Sequence, residues 1–226
     1  MKVFVAGATG KTGKRIVQEL ANRGISTRAM VRSLDKGKQM LPETAEIVVG
    51  DVLEPDSLRE AIADSTVIIC ATGASPDFDF TGPYKVDYEG TTNLTDIARE
   101  KGIEHLVLVS SLCVSRFFHP LNLFWLVLYW KKKAEDYIVR SGVPYTIVRP
   151  GGLREEDSDD SIVMTQPDTL FEGGIPRIKV AQVSVEALFQ PAARNQIVEI
   201  VAQPDVPKRS LKDLFEQVAS AATAKK

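Results

Sequence analysis

A glycine-spaced turn at the head of the chain constrains its fold more than any other feature. Residues 1–13 read MKVFVAGATGKTG, in which Val3, Phe4 and Val5 run into a turn carrying Gly7, Gly10 and Gly13. Ile16, Val17 and Leu20 then recur at the spacing of one helix face. Glycine tolerates positive φ and leaves no Cβ in the path of an approaching phosphate. The unpaired N–H groups of a first helical turn, together with the helix dipole, attract an anion. Glycines also build ordinary tight turns, but their place between a strand and a helix favours a dinucleotide site.

Downstream, strand and helix patterns alternate. Strands are expected at 26–31, 46–49, 66–70, 105–110 and 145–149, with a later one at 197–201. Helices are expected from 56, over 84–100 and 125–140, at 180–188 and at 211–219. A long Gly/Pro/Asp loop spans 71–83, after a strand C-terminus, where open α/β sheets bind ligands. The acid-rich stretch 154–161 reads as a mobile, solvated loop. This order predicts an α/β fold with a doubly wound, mostly parallel sheet of Rossmann type and a small C-terminal substrate-side region. The expected organisation is one NAD(P)-binding domain over 1–226, with a dinucleotide-binding core at 1–150 and the smaller part at 151–226.

The bulk properties exclude several classes. A net charge of −2 gives no electrostatic reason to expect nucleic acid. His105 and His119 lack ligand spacing with cysteine or acid, so no metal site is expected. Cys70 and Cys113 read as reduced and inert. No signal peptide is expected, because residues 2–6 already form a strand, and the run 121–130 is shorter than the roughly 20 residues that span a bilayer. A soluble protein is the expectation.

Strand two ends Met30-Val31-Arg32-Ser33, with no acid before Asp35. An acid at that tip binds the ribose 2′-hydroxyl of NAD, whereas arginine accepts the 2′-phosphate of NADP. Arg32 therefore points to NADP(H), the alternative being an ordinary strand-end cation. Asp51 and Val52 follow strand three where adenine would lie; Asp51 reads equally as a turn or helix-capping residue.

With these features, Val109-Ser110-Ser111, Gly90-Thr91-Thr92-Asn93-Leu94 and the block Pro144 to Gly151, the chain resembles the atypical short-chain dehydrogenase/reductases over nearly its whole length. It looks most similar to the dehydrogenase-like part of the redox-sensing subunit of the chloroplast inner-envelope translocon and its cyanobacterial relatives. The particular matches there are Leu121 to Trp125 and Trp130 to Glu135. The resemblance implies a nucleotide held by Gly7, Thr9, Gly10, Lys11, Thr12 and Gly13, with contacts from Arg32, Asp51, Val52, Ala71, Thr72 and Gly73. It also implies Ser110, Ser111 and Lys133 on the nicotinamide side, framed by Pro150, Gly151 and Gly152. The translocon subunit's long C-terminal extension, which binds ferredoxin-NADP reductase, has no counterpart in these residues, so that partner is not carried over. A cyanobacterial-type cytosol or a plastid stroma is the implied setting.

Tyr129 and Lys133 form a Tyr-x-x-x-Lys pair, one helical turn apart. In active members of the resembled superfamily the tyrosine moves a proton, the lysine holds the nicotinamide ribose, and a serine orients the acceptor carbonyl. Ser111 is the expected serine and Ser110 the second choice, although register against the epimerase branch sets its serine at Leu112. Lys131 and Lys132 are expected to be solvated. The apolar run 117–125, which includes Phe117, Phe118, Leu121, Leu123 and Phe124, is expected to be buried in the core or against substrate. A lid, a dimer face or a peripheral membrane contact through 116–133 is the alternative. The leading function is an NADPH-dependent reductase acting on a flavin, quinone or tetrapyrrole-like small-molecule acceptor. The alternative is an NADP(H)-sensing binding protein with little turnover. Whether the chain is monomeric or dimeric is left open.

Overall fold

The computed structural model describes residues 1–74, 80–123 and 125–223. An eight-stranded sheet runs in the order β3-β2-β1-β4-β5-β6-β10-β8. Its strands are β1 (Val3–Ala6), β2 (Thr27–Val31), β3 (Glu46–Val49), β4 (Val67–Cys70), β5 (His105–Val109), β6 (Tyr145–Pro150), β8 (Ser161–Thr165) and β10 (Gln196–Gln203). Every neighbouring pair is parallel except β10 with β8. The doubly wound, mostly parallel α/β architecture expected from the sequence is thus present.

Two faces of the sheet are filled by alternate residues of the same strands. On one face, Val3 and Val5 of β1 share a core with Ile16, Val17 and Leu20 of α1 (Gly13–Asn22) and with α6 (Arg177–Glu186), and that core continues to Leu214 and Phe215 of α7 (Leu211–Thr223). Phe4 and Ala6 face the other way, toward Leu58 and Ile62 of α3 (Pro55–Ile62), Leu94 of α4 (Gly90–Glu100) and Ile138 of α5 (Val127–Arg140). The short α2 (Leu34–Met40) joins β2 to β3. Strand order reverses between β1 and β4, and the loops leaving their C-terminal ends form the crevice where such sheets bind ligands.

The structure departs from the sequence reading in four places. The helix expected over 84–100 opens as a π-helical segment, Pro83–Glu89, before becoming α4. The helix expected from Trp125 begins at Val127, because Trp125 and Leu126 adopt left-handed backbone with φ of 56° and 57°. Asn122 caps it from upstream: its Oδ1 accepts from the N–H groups of Leu128 (3.0 Å) and Tyr129 (3.1 Å). The acid-rich stretch is tied down, since β7 (Gly152–Arg154) pairs with β9 (Gly174–Pro176) and its acids meet Lys11, Arg15, Arg154, Arg177 and Lys179. Finally, the apolar run does not enter the core: Phe118 is 97% exposed and Leu123 85%, with Phe117 and Leu121 also exposed. Phe124 and residues 75–79 of the 71–83 loop lie outside the described residues. No helix among the described residues is long and apolar enough to cross a membrane.

Candidate functional site

The crevice begins at the glycine turn. Gly7 has φ of +78°, and a Cβ there would lie 2.6 Å from the Ala71 carbonyl oxygen, so β1 and β4 meet closely only with glycine in place. A Cβ on Gly13 would stand 2.0 Å from the Gly7 oxygen, which seats α1 against the turn. The Gly10 N–H donates to Gly7 O, and Lys14 N–H to Gly10 O. Among the described residues, the backbone N–H groups of Lys11, Thr12 and Gly13 find no acceptor. These donors stand at the positive end of α1, the chemistry an anion requires. Lys11 Nζ and Thr12 Oγ1 meet Glu155 and Arg177, respectively. Thr9 makes no side-chain hydrogen bond among the described residues.

Arg32 stands exposed just beyond β2, and among the described residues its guanidinium has neither hydrogen bond nor ion pair. Arg28, on the same strand, is by contrast held by Glu46. Asp51 Oδ1 accepts from Leu53 N–H at 3.0 Å, and the Asp51 N–H donates to Ser57 Oγ at 3.2 Å, a turn-forming arrangement that leaves Oδ2 available. Val52 is buried against Gly90, where a Cβ would come within 2.6 Å of the valine methyl.

At the other end of the crevice, the cleft over β4 and β5 is lined by Thr72, Asp87, Thr91, Ser110 and Lys131. Lys131 Nζ lies 2.7 Å from Asp87 Oδ1, with side chains 18% and 1% exposed, while Asp87 Oδ2 accepts from Ala74 N–H at 3.3 Å. Gly73 borders the pair, a Cβ there lying 3.8 Å from Asp87 Oδ1 and 4.0 Å from Lys131 Nζ. Thr72 Oγ1 and Cys70 Sγ share a hydrogen bond of 3.2 Å, and Ala71 N–H donates to Ala6 O. Pro150 accepts from Leu112 N–H, while Gly151 and Gly152 carry the chain to β7 through bonds to Ile200 O and Gly173 O.

The structure does not bring Tyr129 and Lys133 to this cleft. Each is two residues from Lys131, about 200° around an α-helix. Lys133 is exposed, its ammonium 5.5 Å from the Tyr129 ring centroid. Tyr129 itself packs edge-on against Phe117 and Trp130. The lysine that enters the site is Lys131, which the sequence reading left in solvent; Lys132 pairs with Asp136 along the helix. The signal was present in the spacing of Leu128, Lys131, Glu135 and Ile138, which marks the inward face of α5.

Of the two serines, Ser110 faces inward, donating to Glu135 Oε1 at 2.5 Å. Ser111 is half-buried and makes no side-chain hydrogen bond among the described residues. Glu135 belongs to a buried network that sequence reasoning missed. Arg149 donates to both its oxygens, at 2.7 Å from Nη2, and also to Glu199 at 3.2 Å and Asp168 at 3.0 Å. Burial alone would lower the Arg149 pKa, but these carboxylates carry it above the ordinary arginine value. Glu199 further accepts from the N–H groups of Asp168, Thr169 and Leu170, so its second oxygen is met by backbone donors. The network fastens the floor of the cleft to the loop beside β8.

The fold and this crevice define a dinucleotide-binding protein: a glycine turn with open N–H donors, an unpartnered arginine beside the second strand and a half-buried lysine at the far end. The chain belongs to the NAD(P)H-binding family, whose model matches residues 7–191. It is 50% identical over 96% of its length to an uncharacterized chloroplastic protein of Arabidopsis thaliana, covering 82% of that protein. It is 37% identical to the chloroplastic protein TIC 62 of Pisum sativum, over 96% of this chain and 46% of that one, so it spans about half the length of that relative. Sanguinarine reductase of Eschscholzia californica is 31% identical, over 97% of each chain. Among solved structures, a Bacillus halodurans protein described as an NAD-dependent epimerase/dehydratase superposes with a TM-score of 0.86 at 29% identity, covering 96% of this chain and 99% of that one.

Proposed function

We propose that this chain is an NADP(H)-dependent oxidoreductase that reduces a conjugated small-molecule acceptor, of which flavins, quinones and tetrapyrroles are the classes to test. The observation that carries it is the placement of Lys131, clamped by Asp87 at one end of a crevice whose other end holds Arg32, unpartnered among the described residues. The name of sanguinarine reductase supports a reductase. The Arg32 guanidinium supplies a fork of donors that matches a 2′-phosphate and favours NADP over NAD.

When bound, a nicotinamide supplies the hydride. Lys131 would hold the adjoining ribose hydroxyls, and Asp87 keeps the ammonium at the cleft. Ser111, with its hydroxyl uncommitted, orients the acceptor. Ser110 acts through Glu135 as part of the floor. Tyr129 does not share Lys131's face of α5, and a conjugated acceptor would meet that lack because it can take its proton from solvent. The test is NADPH oxidation, with NADH in parallel, against flavins, quinones and biliverdin. Turnover that collapses in Lys131→Ala and persists in Tyr129→Phe and Lys133→Ala is expected; no oxidation with any acceptor overturns the reading.

A second reading is favoured by one observation. The exposed Phe118 and Leu123 form an apolar prominence upstream of α5, and so of Lys131. A sensor that reports NADP(H) occupancy through this prominence, with little turnover, would bind a membrane or redox partner differently with and without nucleotide. The chloroplastic names of two relatives support a stromal setting, and a cyanobacterial-type cytosol offers the same chemistry.

A further inference from the structure

The β7–β9 ribbon carries an acid and a base from separate parts of the chain to the glycine turn. Its register sets Arg154 opposite Pro176, so the next residues, Glu155 and Arg177, leave the ribbon side by side and join at 2.9 Å. The same carboxylate lies 3.3 Å from Lys11 Nζ and 3.1 Å from Arg15 Nη2. Arg177 Nη1 also donates to Thr12 Oγ1 at 3.1 Å. Lys11 and Thr12 belong to the turn itself, and Arg15 to the first turn of α1. Three cations therefore converge on one carboxylate beside the open N–H donors at the positive helix end. A carboxylate there offers the charge and acceptor oxygens that a phosphate offers.

We propose that Glu155 gates the nucleotide site: its carboxylate holds the cations of the glycine turn when no nucleotide is present, and a phosphate group of the dinucleotide displaces it on binding. The proposal rests on the nucleotide reading above. Lys11, Arg15 and Arg177 then pass from the carboxylate to the phosphate. The strap that carries Glu155 is freed at this end, keeping its ties between Arg154 and Asp160 (3.2 Å) and between Asp157 and Lys179 (3.6 Å). Exposure makes the exchange feasible. The Glu155 side chain is 48% exposed, and ion pairs in water are individually weak, which is what a displaceable contact requires. Binding then becomes competition between two anions, so the closed strap lowers the apparent affinity by the fraction of molecules it occupies.

The test is calorimetric titration of NADP⁺ and NAD⁺ into the wild type and Glu155→Gln. The variant is expected to bind more tightly by roughly three- to fivefold, the scale of an exposed ion pair. A gain with both nucleotides places the displacing group at the pyrophosphate; a gain with NADP⁺ alone places it at the 2′-phosphate. Hydrogen exchange on the wild type gives a readout free of mutation: amides of 152–160 are expected to exchange faster once NADP⁺ is added. Unchanged or weaker binding by the variant, or slower exchange in the strap, would overturn the gate. If the folded wild type binds neither nucleotide, the nucleotide reading itself falls, and the gate with it.

Discussion

Two positions along α5 separate Lys131 from Lys133, and the rotation between them decides which lysine faces the cleft. Lys131 turns inward to Asp87, whereas Lys133 turns outward over Tyr129. A charged hydrogen bond contributes about 1.5–3 kcal/mol, so Lys131→Ala should raise the NADPH KM or Kd by roughly tenfold or more, and Lys133→Ala should leave it in place. Steady-state kinetics and titration read this directly. Arg32→Ala should reduce the preference for NADPH over NADH by about tenfold, checked as the ratio of kcat/KM for the two nucleotides. Three consecutive lysines hid this choice in the sequence. A Tyr-x-x-x-Lys match selected the last of them, Lys133, while the inward spacing of Leu128, Glu135 and Ile138 pointed to the first, Lys131. The position of Arg32 just beyond β2 was legible because an arginine at a strand tip is a property of one residue in one local pattern.

At the scale of elements, local pattern and long-range contact part company. Strands such as β4 were legible because Val67–Cys70 is an unbroken apolar run, buried throughout. The ribbon β7–β9 was not, since each strand is three residues long and is defined only by its distant partner. The start of α5 was misplaced for the same reason. Leu126 sits where a cap would stand but has left-handed backbone, and the capping is done by Asn122 from outside the helix. Asn122 also donates to Phe117 O at 2.8 Å, so one amide ties the apolar prominence to the helix. Asn122→Ala should cost about 1–2 kcal/mol and speed amide exchange at Leu128 and Tyr129 before the rest of α5. Uniform exchange along the helix would show that the cap is not what holds its first turn. The π-helical segment was hidden as well: its aromatic and polar residues read as ordinary helix, and only contacts to Lys131 and Ala74 reveal where Asp87 faces.

Over the whole molecule, stability depends on a few buried polar groups set within two apolar layers. Removing the guanidinium in Arg149→Met leaves Glu135 and Glu199 facing each other's charge without their cation, and should cost about 3–5 kcal/mol in denaturant unfolding. His105 sits buried between β4 and β6, its Nε2 2.8 Å from Thr146 Oγ1 and its Nδ1 unpaired, and desolvation, aided by Arg194, lowers its pKa to about 4. The unfolded chain takes up that proton near pH 6.5 and the folded one does not. Stability is therefore full above about pH 6.5 and falls as pH drops toward 4, by about 3 kcal/mol in all. His105→Gln should flatten this slope in unfolding curves measured across that range. Both cysteines are free and buried, and burial pushes both thiols above their ordinary pKa. At neutral pH neither presents a thiolate, so alkylating reagents should label the protein only after denaturation. The thiols of this chain are thus withdrawn from redox chemistry in the folded state. On the sensor reading, a cell would sense its redox state through this fold as the ratio of reduced to oxidised dinucleotide bound, with no thiol taking part.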